Sequence, residues 1–170
     1  MNSSVLITGG AGFIGSSLAI SLLKAGHFVT SFDNFNDFYN PQLKRQNIER
    51  CSEYAHFRSV DGDIRDRQAV RSLFDTSFDI VIHLAAMAGV RPSIDAPELY
   101  YDVNVQGTYN ILDECAKSSV SKVVLASSSS VYGNNEKVPF SENDFVDRPI
   151  SPYAATKKMN EVMAYNFYHL

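Results

Sequence analysis

Val5-Leu6-Ile7-Thr8-Gly9-Gly10-Ala11-Gly12-Phe13-Ile14-Gly15 decides the reading of this chain. A short apolar run ends in glycines, and a segment with apolar residues at Ile14, Leu18, Leu22 and Leu23 follows at helical spacing. The pattern predicts a strand, a tight turn and a helix over Phe13–Ala25, with Gly26 as its stop. Glycines at 9, 12 and 15 suit three different needs. Gly9 permits the turn, Gly12 lets the backbone approach a pyrophosphate, and Gly15 lets the helix pack closely on the strand. A helix N-terminus at that point offers unpaired N–H groups and a positive dipole end to phosphates. In this strand-turn-helix context the stretch reads as a dinucleotide-binding turn.

Outward from that turn, strand and helix signals alternate. Strands are expected at Phe28–Phe32, Ala55–Val60, Ile80–Ile82 and Lys122–Ala126, with helices at Pro41–Arg50, Asp66–Thr76, Pro97–Ser118 and Pro152–His169. Ser151 is the expected cap of the last helix and Pro152 its first residue. A β-α-β-α rhythm implies a parallel sheet covered on both faces, hence a doubly wound α/β fold. No internal repeat is visible. Ser127-Ser128-Ser129-Ser130 follows a strand directly, so it reads as a strand end and not a linker.

The length of 170 residues suits one domain, residues 1–170. Hydrophobic residues make up 45%, charged residues 20%, and the net charge is −4. That balance gives no basic footprint for a nucleic acid, and no apolar run is long enough to span a membrane. The start of the chain does not look like a signal peptide. Cys51 and Cys115 have neither zinc spacing nor a disulfide framework, and the four histidines form no metal set. A cytoplasmic, metal-free protein is expected.

Asp33 ends the second strand, where an acid accepts hydrogen bonds from both adenosine ribose hydroxyls and repels a 2′-phosphate, so NAD is expected over NADP. It could also serve a turn with Asn34. Tyr153 and Lys157 stand one helical turn apart. An ammonium, together with a bound nicotinamide cation, favours the phenolate form of a tyrosine base. His83 is expected to bond backbone, and Met159 and Met163 to pack.

These residues resemble the extended short-chain dehydrogenase/reductase family, the NAD-dependent epimerases and dehydratases of nucleotide sugars, whose fingerprint is T-G-x-x-G-x-x-G. Asp33 to Asp37, His83 to Ala86, Asn104 to Thr108, Ser127 to Gly133 and Tyr153-x-x-x-Lys157 all share the likeness, which is strongest toward UDP-glucuronate 4-epimerases. The resemblance implies Ser128, Tyr153 and Lys157 as catalytic residues. It implies a cofactor set of Gly9, Gly12, Phe13, Ile14, Gly15, Asp33, Asn34, Asp63, Ile64, Leu84, Ala85 and Ala86, with Tyr153 and Lys157. It implies Arg91, Asn104, Ser128 and Ser130 at the substrate, and a homodimer built from the helices at Pro97–Ser118 and after Pro152. The implied reaction is conversion of UDP-glucuronate to UDP-galacturonate through a 4-keto sugar. Ser129-Ser130 stands where related dehydratases carry Asp-Glu, which speaks for epimerisation; Pro92 departs from the aromatic residue of the epimerases. A UDP-glucose 4-epimerase, another nucleotide-sugar epimerase or dehydratase, and a non-catalytic NAD-binding module stay open as readings. Members of the family run about twice this length, so the chain is expected to be a fragment lacking most of the substrate domain and inactive alone.

Overall fold

The computed structural model describes residues 2–170. Five parallel strands form one sheet in the order β3-β2-β1-β4-β5, with β1 Ser4–Thr8, β2 Phe28–Asp33, β3 Phe57–Asp61, β4 Ile80–His83 and β5 Lys122–Leu125. β1 lies at the centre, pairing Ile7 with Ser31 on one side and with Ile82 on the other. In this register Thr8 is level with Phe32 and His83, so β1 and β4 end together and β2 runs one residue further, to Asp33. The expected doubly wound parallel sheet is what the chain forms.

Alternation along β1 explains the cover on both faces. Val5 and Ile7 point one way into a cluster with Ala19 and Leu23 of α1 (Phe13–Lys24), Val29 and Cys51, the last from α2 (Pro41–Ser52). Leu6 and Val81 point the other way and are equally buried. Beyond the strands, α3 (Arg67–Leu73) and α6 (Thr108–Lys117) are tied together. Asn110 donates to the carbonyls of Ile64 and Arg65, and Arg67 pairs with Asp113. Asp66 caps α3 by accepting from the N–H groups of Gln68 and Ala69, so the acid expected in that helix's first turn is its cap.

The chain divides into two compact units. One comprises residues 1–85 and 110–126 and contains the whole sheet; the other comprises residues 86–109 and 127–170. The second unit is helical. It holds α4 (Val90–Asp95), α5 (Pro97–Tyr100), a π-helical stretch Tyr101–Gly107, a 3₁₀ turn Ser129–Tyr132 and α7 (Pro152–His169). Ser151 does cap α7, accepting from Ala154 N–H at 3.1 Å, with Pro152 at the first position.

Three expectations need correction. The long helix from Pro97 is not a uniform α-helix, because its middle widens into π turns and shifts the register of everything after them. Val103, Ile111 and Leu112 are buried within the chain, and Tyr101 and Tyr109 are exposed instead. On α7, Met159, expected to pack, is exposed. On α1, Ile14 is exposed; the helix meets the sheet through Gly15, Ser16, Ala19 and Leu23, because only small side chains allow its first turn to come so close.

That closeness is testable. A Cβ on Gly15 would lie 2.4 Å from the Gly9 carbonyl oxygen and 2.7 Å from Gly10 Cα, and neither is free to move aside. Gly15→Val should lose about 2–3 kcal/mol of stability through overpacking, seen as a lower urea midpoint at unchanged slope. An unchanged midpoint would mean that the turn has slack.

Candidate functional site

At the end of β1 the backbone turns at Gly9, with φ 70°, and β4 runs directly beneath it. A Cβ there would meet Ala85 N at 2.8 Å and the Leu84 carbonyl carbon at 3.0 Å. Leu84 and Ala85 thus support the turn, and Thr8 ties it down. The Thr8 hydroxyl oxygen accepts from Ala85 N–H at 3.3 Å and lies 2.7 Å from His83 Nδ1. Gly12 N–H donates to Gly9 O, and α1 begins without any side-chain cap. Phe13 and Ile14 stand exposed at its start. A glycine turn with a helix N-terminus free of capping side chains fits a dinucleotide pyrophosphate.

Asp33 closes β2 beside that turn. Its Oδ2 accepts from Ala11 N–H at 3.1 Å and its Oδ1 from Phe35 N–H at 2.9 Å. Phe35 takes a positive φ of 51° to reach it. Lys44, which carries no signal in the sequence, has its ammonium 3.5 Å from Asp33 Oδ1, with both side chains almost fully buried. A lysine inside a polar helix is an ordinary surface residue by composition; only the fold brings α2 across the end of β2. Asp63 is gripped by both arms of Arg65, at 3.0 and 2.8 Å, and by the Asn34 amide at 3.0 Å. Those bonds, the Arg65 guanidinium first, hold its carboxyl down at about 2. Ile64, also expected at the cofactor, is buried, and its carbonyl accepts from Asn110.

In the helical unit, Tyr153 and Lys157 lie on the first turns of α7, with the Lys157 ammonium 6.0 Å from the Tyr153 ring centre. Tyr100 is buried, donates to Ala88 O, and meets the Tyr153 ring edge-on at 6.2 Å. Ser128 opens the 3₁₀ turn, and its Oγ accepts from both the N–H and the hydroxyl of Ser130, at 3.2 and 2.9 Å. Ser127 is bonded instead to Glu161 on α7. Arg91 is exposed on α4, and Ala86 is half-buried where the unit begins.

The resemblance implies that Asn104 touches the nucleotide sugar. It is fully buried. Its Oδ1 accepts from Met87 N–H, and both Nδ2 hydrogens are used, on Met87 O and Thr156 Oγ1. Its amide joins the Met87 backbone to α7, and Thr156 in turn donates to Tyr153 O. The residue frames the Tyr153 helix.

Among the described residues there is no cluster of metal-ligating side chains and no helix long and apolar enough to cross a membrane. Both cysteines are free and buried; burial pushes the Cys115 thiol up to about 12.

Residues 6–170 match the family described as GDP-mannose 4,6 dehydratase, and the chain belongs to that family. Among its relatives is UDP-glucuronate 4-epimerase 1 of Arabidopsis thaliana, 46% identical over 98% of this chain and 39% of that protein. A Bacillus cereus UDP-glucuronic acid 4-epimerase, solved with UDP-glucuronic acid and NAD, superposes with a TM-score of 0.90 at 33% identity, covering 98% of this chain and 52% of that one. The UDP-Glc/GlcNAc 4-epimerase of Campylobacter jejuni gives 0.91 at 31% identity, covering 99% and 50%. The chain thus spans about half the length of these solved relatives, and less of the plant enzyme.

Burial lowers the Lys157 ammonium from the ordinary 10.5 to about 8. The unfolded chain keeps that proton up to the ordinary value while the folded chain releases it near 8, so this group adds stability as pH rises between the two. Wild type should gain up to about 3 kcal/mol over Lys157→Met across that window. Urea titrations from neutral to alkaline pH measure it; a constant difference would mean that Lys157 is solvated.

Proposed function

We propose that this chain is the cofactor-binding and acid-base portion of an NAD-dependent UDP-sugar 4-epimerase, with UDP-glucuronate and UDP-galacturonate as its interconverting pair. The observation that carries the reading is the second unit's constellation. Tyr153 and Lys157 stand one turn apart on a capped helix, and Ser128 opens the 3₁₀ turn of the same unit with its hydroxyl against that of Ser130. Relatives at 44–46% identity that bear the name UDP-glucuronate 4-epimerase support the sugar.

NAD, when bound, would supply the acceptor and then the donor of the C4 hydride, so that the configuration at C4 can be inverted. Gly9, Gly12 and Gly15 would hold its pyrophosphate, Asp33 its adenosine ribose, and Asp63 its adenine end. Tyr153 takes the proton of the C4 hydroxyl as the C4–H bond breaks, and Ser128 donates a hydrogen bond to the same oxygen. Lys157 would hold the nicotinamide ribose, and it keeps positive charge beside Tyr153. After the 4-keto sugar turns, Tyr153 returns the proton to O4. Arg91 is the proposed partner of the sugar carboxylate.

The family's name points to dehydration as another outcome. Eliminating water needs a further acid and base. Ser129 and Ser130 are hydroxyls where that chemistry requires carboxylates, so epimerisation is the preferred reading. The UDP-Glc/GlcNAc enzyme among the neighbours supports a neutral UDP-hexose as the second reading. A non-catalytic module would have no use for an intact Ser128, Tyr153 and Lys157. A homodimer and a cytoplasmic setting belong to the same proposal; the exposed Met159, Val162 and Tyr165 offer α7 an outer face for a second copy.

Two results are expected. Tyr153→Phe in the full-length protein should cost at least about a hundred-fold in turnover while NAD still binds. Survival within a few-fold would remove Tyr153 as the base. The 170-residue chain supplied with NAD should convert neither UDP-glucuronate nor UDP-glucose in a chromatographic assay. Holding a substrate in a reactive pose supplies about 7–11 kcal/mol, drawn from remote contacts to the UDP part. Conversion near one per second, within the usual enzyme range, would place those contacts within these residues.

A further inference from the structure

The Asp33–Lys44 pair holds more than the sequence rule for such acids requires. That rule treats the carboxylate as the charge that turns a 2′-phosphate away. Here the carboxylate does not stand as a lone charge: a buried ammonium lies 3.5 Å from its Oδ1. The carboxylate is also fixed from two sides by the N–H groups of Ala11 and Phe35. Lys44 is fixed as well, on the second turn of a helix that Asn40 caps, and its ammonium lies 5.1 Å from the Tyr39 ring centre. The neighbouring cation, Arg45, is exposed and already paired with Asp61 at 2.9 Å. Lys44 is therefore the cation poised where a ribose on Asp33 would present its hydroxyls.

We infer that Lys44 is a latent 2′-phosphate anchor and the second determinant of cofactor choice; this rests on the reading that Asp33 holds the adenosine ribose. With Asp33 ionised, the ammonium is neutralised and the carboxylate occupies the phosphate's place, so NAD binds in preference. Without the carboxylate, the buried ammonium is left uncompensated and will take an anion in its stead. A 2′-phosphate supplies that anion, and an ammonium bonds it as a strong charge-assisted donor. Removing one acid should therefore do more than relax discrimination. It should create affinity for NADP, and that affinity should depend on Lys44.

Calorimetric titration of NAD and NADP tests this with wild type, Asp33→Ser, Asp33→Asn, Lys44→Met and the Asp33→Ser/Lys44→Met double variant, each checked for folding by circular dichroism. Asp33→Ser should bind NADP about tenfold more tightly than wild type does, or better, and the double variant should lose that gain. Lys44→Met alone should weaken NAD without improving NADP. Asp33→Asn, nearly isosteric, reads the same gain should the serine variant fail to fold. A gain that survives in the double variant, or no gain in either single Asp33 variant while wild type binds NAD, overturns the role of Lys44 and leaves the dinucleotide reading intact. Wild type that binds neither dinucleotide overturns both.

Discussion

Gly9 and Ala85 touch backbone to backbone, and the functional half of the sheet is arranged around that contact. β1 is central, with β2 and β4 paired on either side; it ends level with β4, and β2 runs one residue further to Asp33. The turn then lies on the end of β4, and any side chain at position 9 would push it off by colliding with Ala85 N and the Leu84 carbonyl carbon. Gly15 repeats the constraint from the other side, bringing α1 down onto Gly9 and Gly10. The result is a helix start free of side-chain caps above the strand ends, with Asp33 bonded to Ala11 of the same turn. Glycine is required here by crowding as much as by φ.

The helical unit depends on a different device. Residues whose polar groups are consumed within the protein hold the residues whose groups are not. Asn104 spends its amide joining Met87 to Thr156, Thr156 holds the Tyr153 carbonyl, and Tyr100 buttresses the Tyr153 ring. Ser130 likewise holds Ser128 through its N–H and its hydroxyl. Such fixing would hold the proposed acid-base groups in place before a substrate arrives, which favours proton transfer. Lys157 bears the cost of its burial as a lowered affinity for its proton.

Much of this was legible in the sequence because the signals were local. The glycine spacing, the strand before it, the Ser151-Pro152 start and the acid ending β2 each act within a few residues of themselves. The parallel sheet followed from the alternation of elements. What escaped the reading is tertiary in origin. The π turns of Tyr101–Gly107 leave no mark in an apolar pattern, yet they turn Val103, Ile111 and Leu112 inward and Tyr101 and Tyr109 outward. Lys44 looked like any charged residue on a polar helix, and its burial against Asp33 depends on how α2 crosses the end of β2. The short helix Val90–Asp95 begins at a glycine with φ 96° and contains a proline, a composition that reads as a loop.

A crystal structure of the chain with NAD tests the central claim most directly, because it fixes both ends of the cofactor at once. The account predicts the pyrophosphate over the Gly9–Gly15 turn, the adenosine ribose on Asp33, and the nicotinamide beside Tyr153 and Lys157. A dinucleotide bound elsewhere, or one held at Asp33 with its nicotinamide turned away from Tyr153, would contradict it.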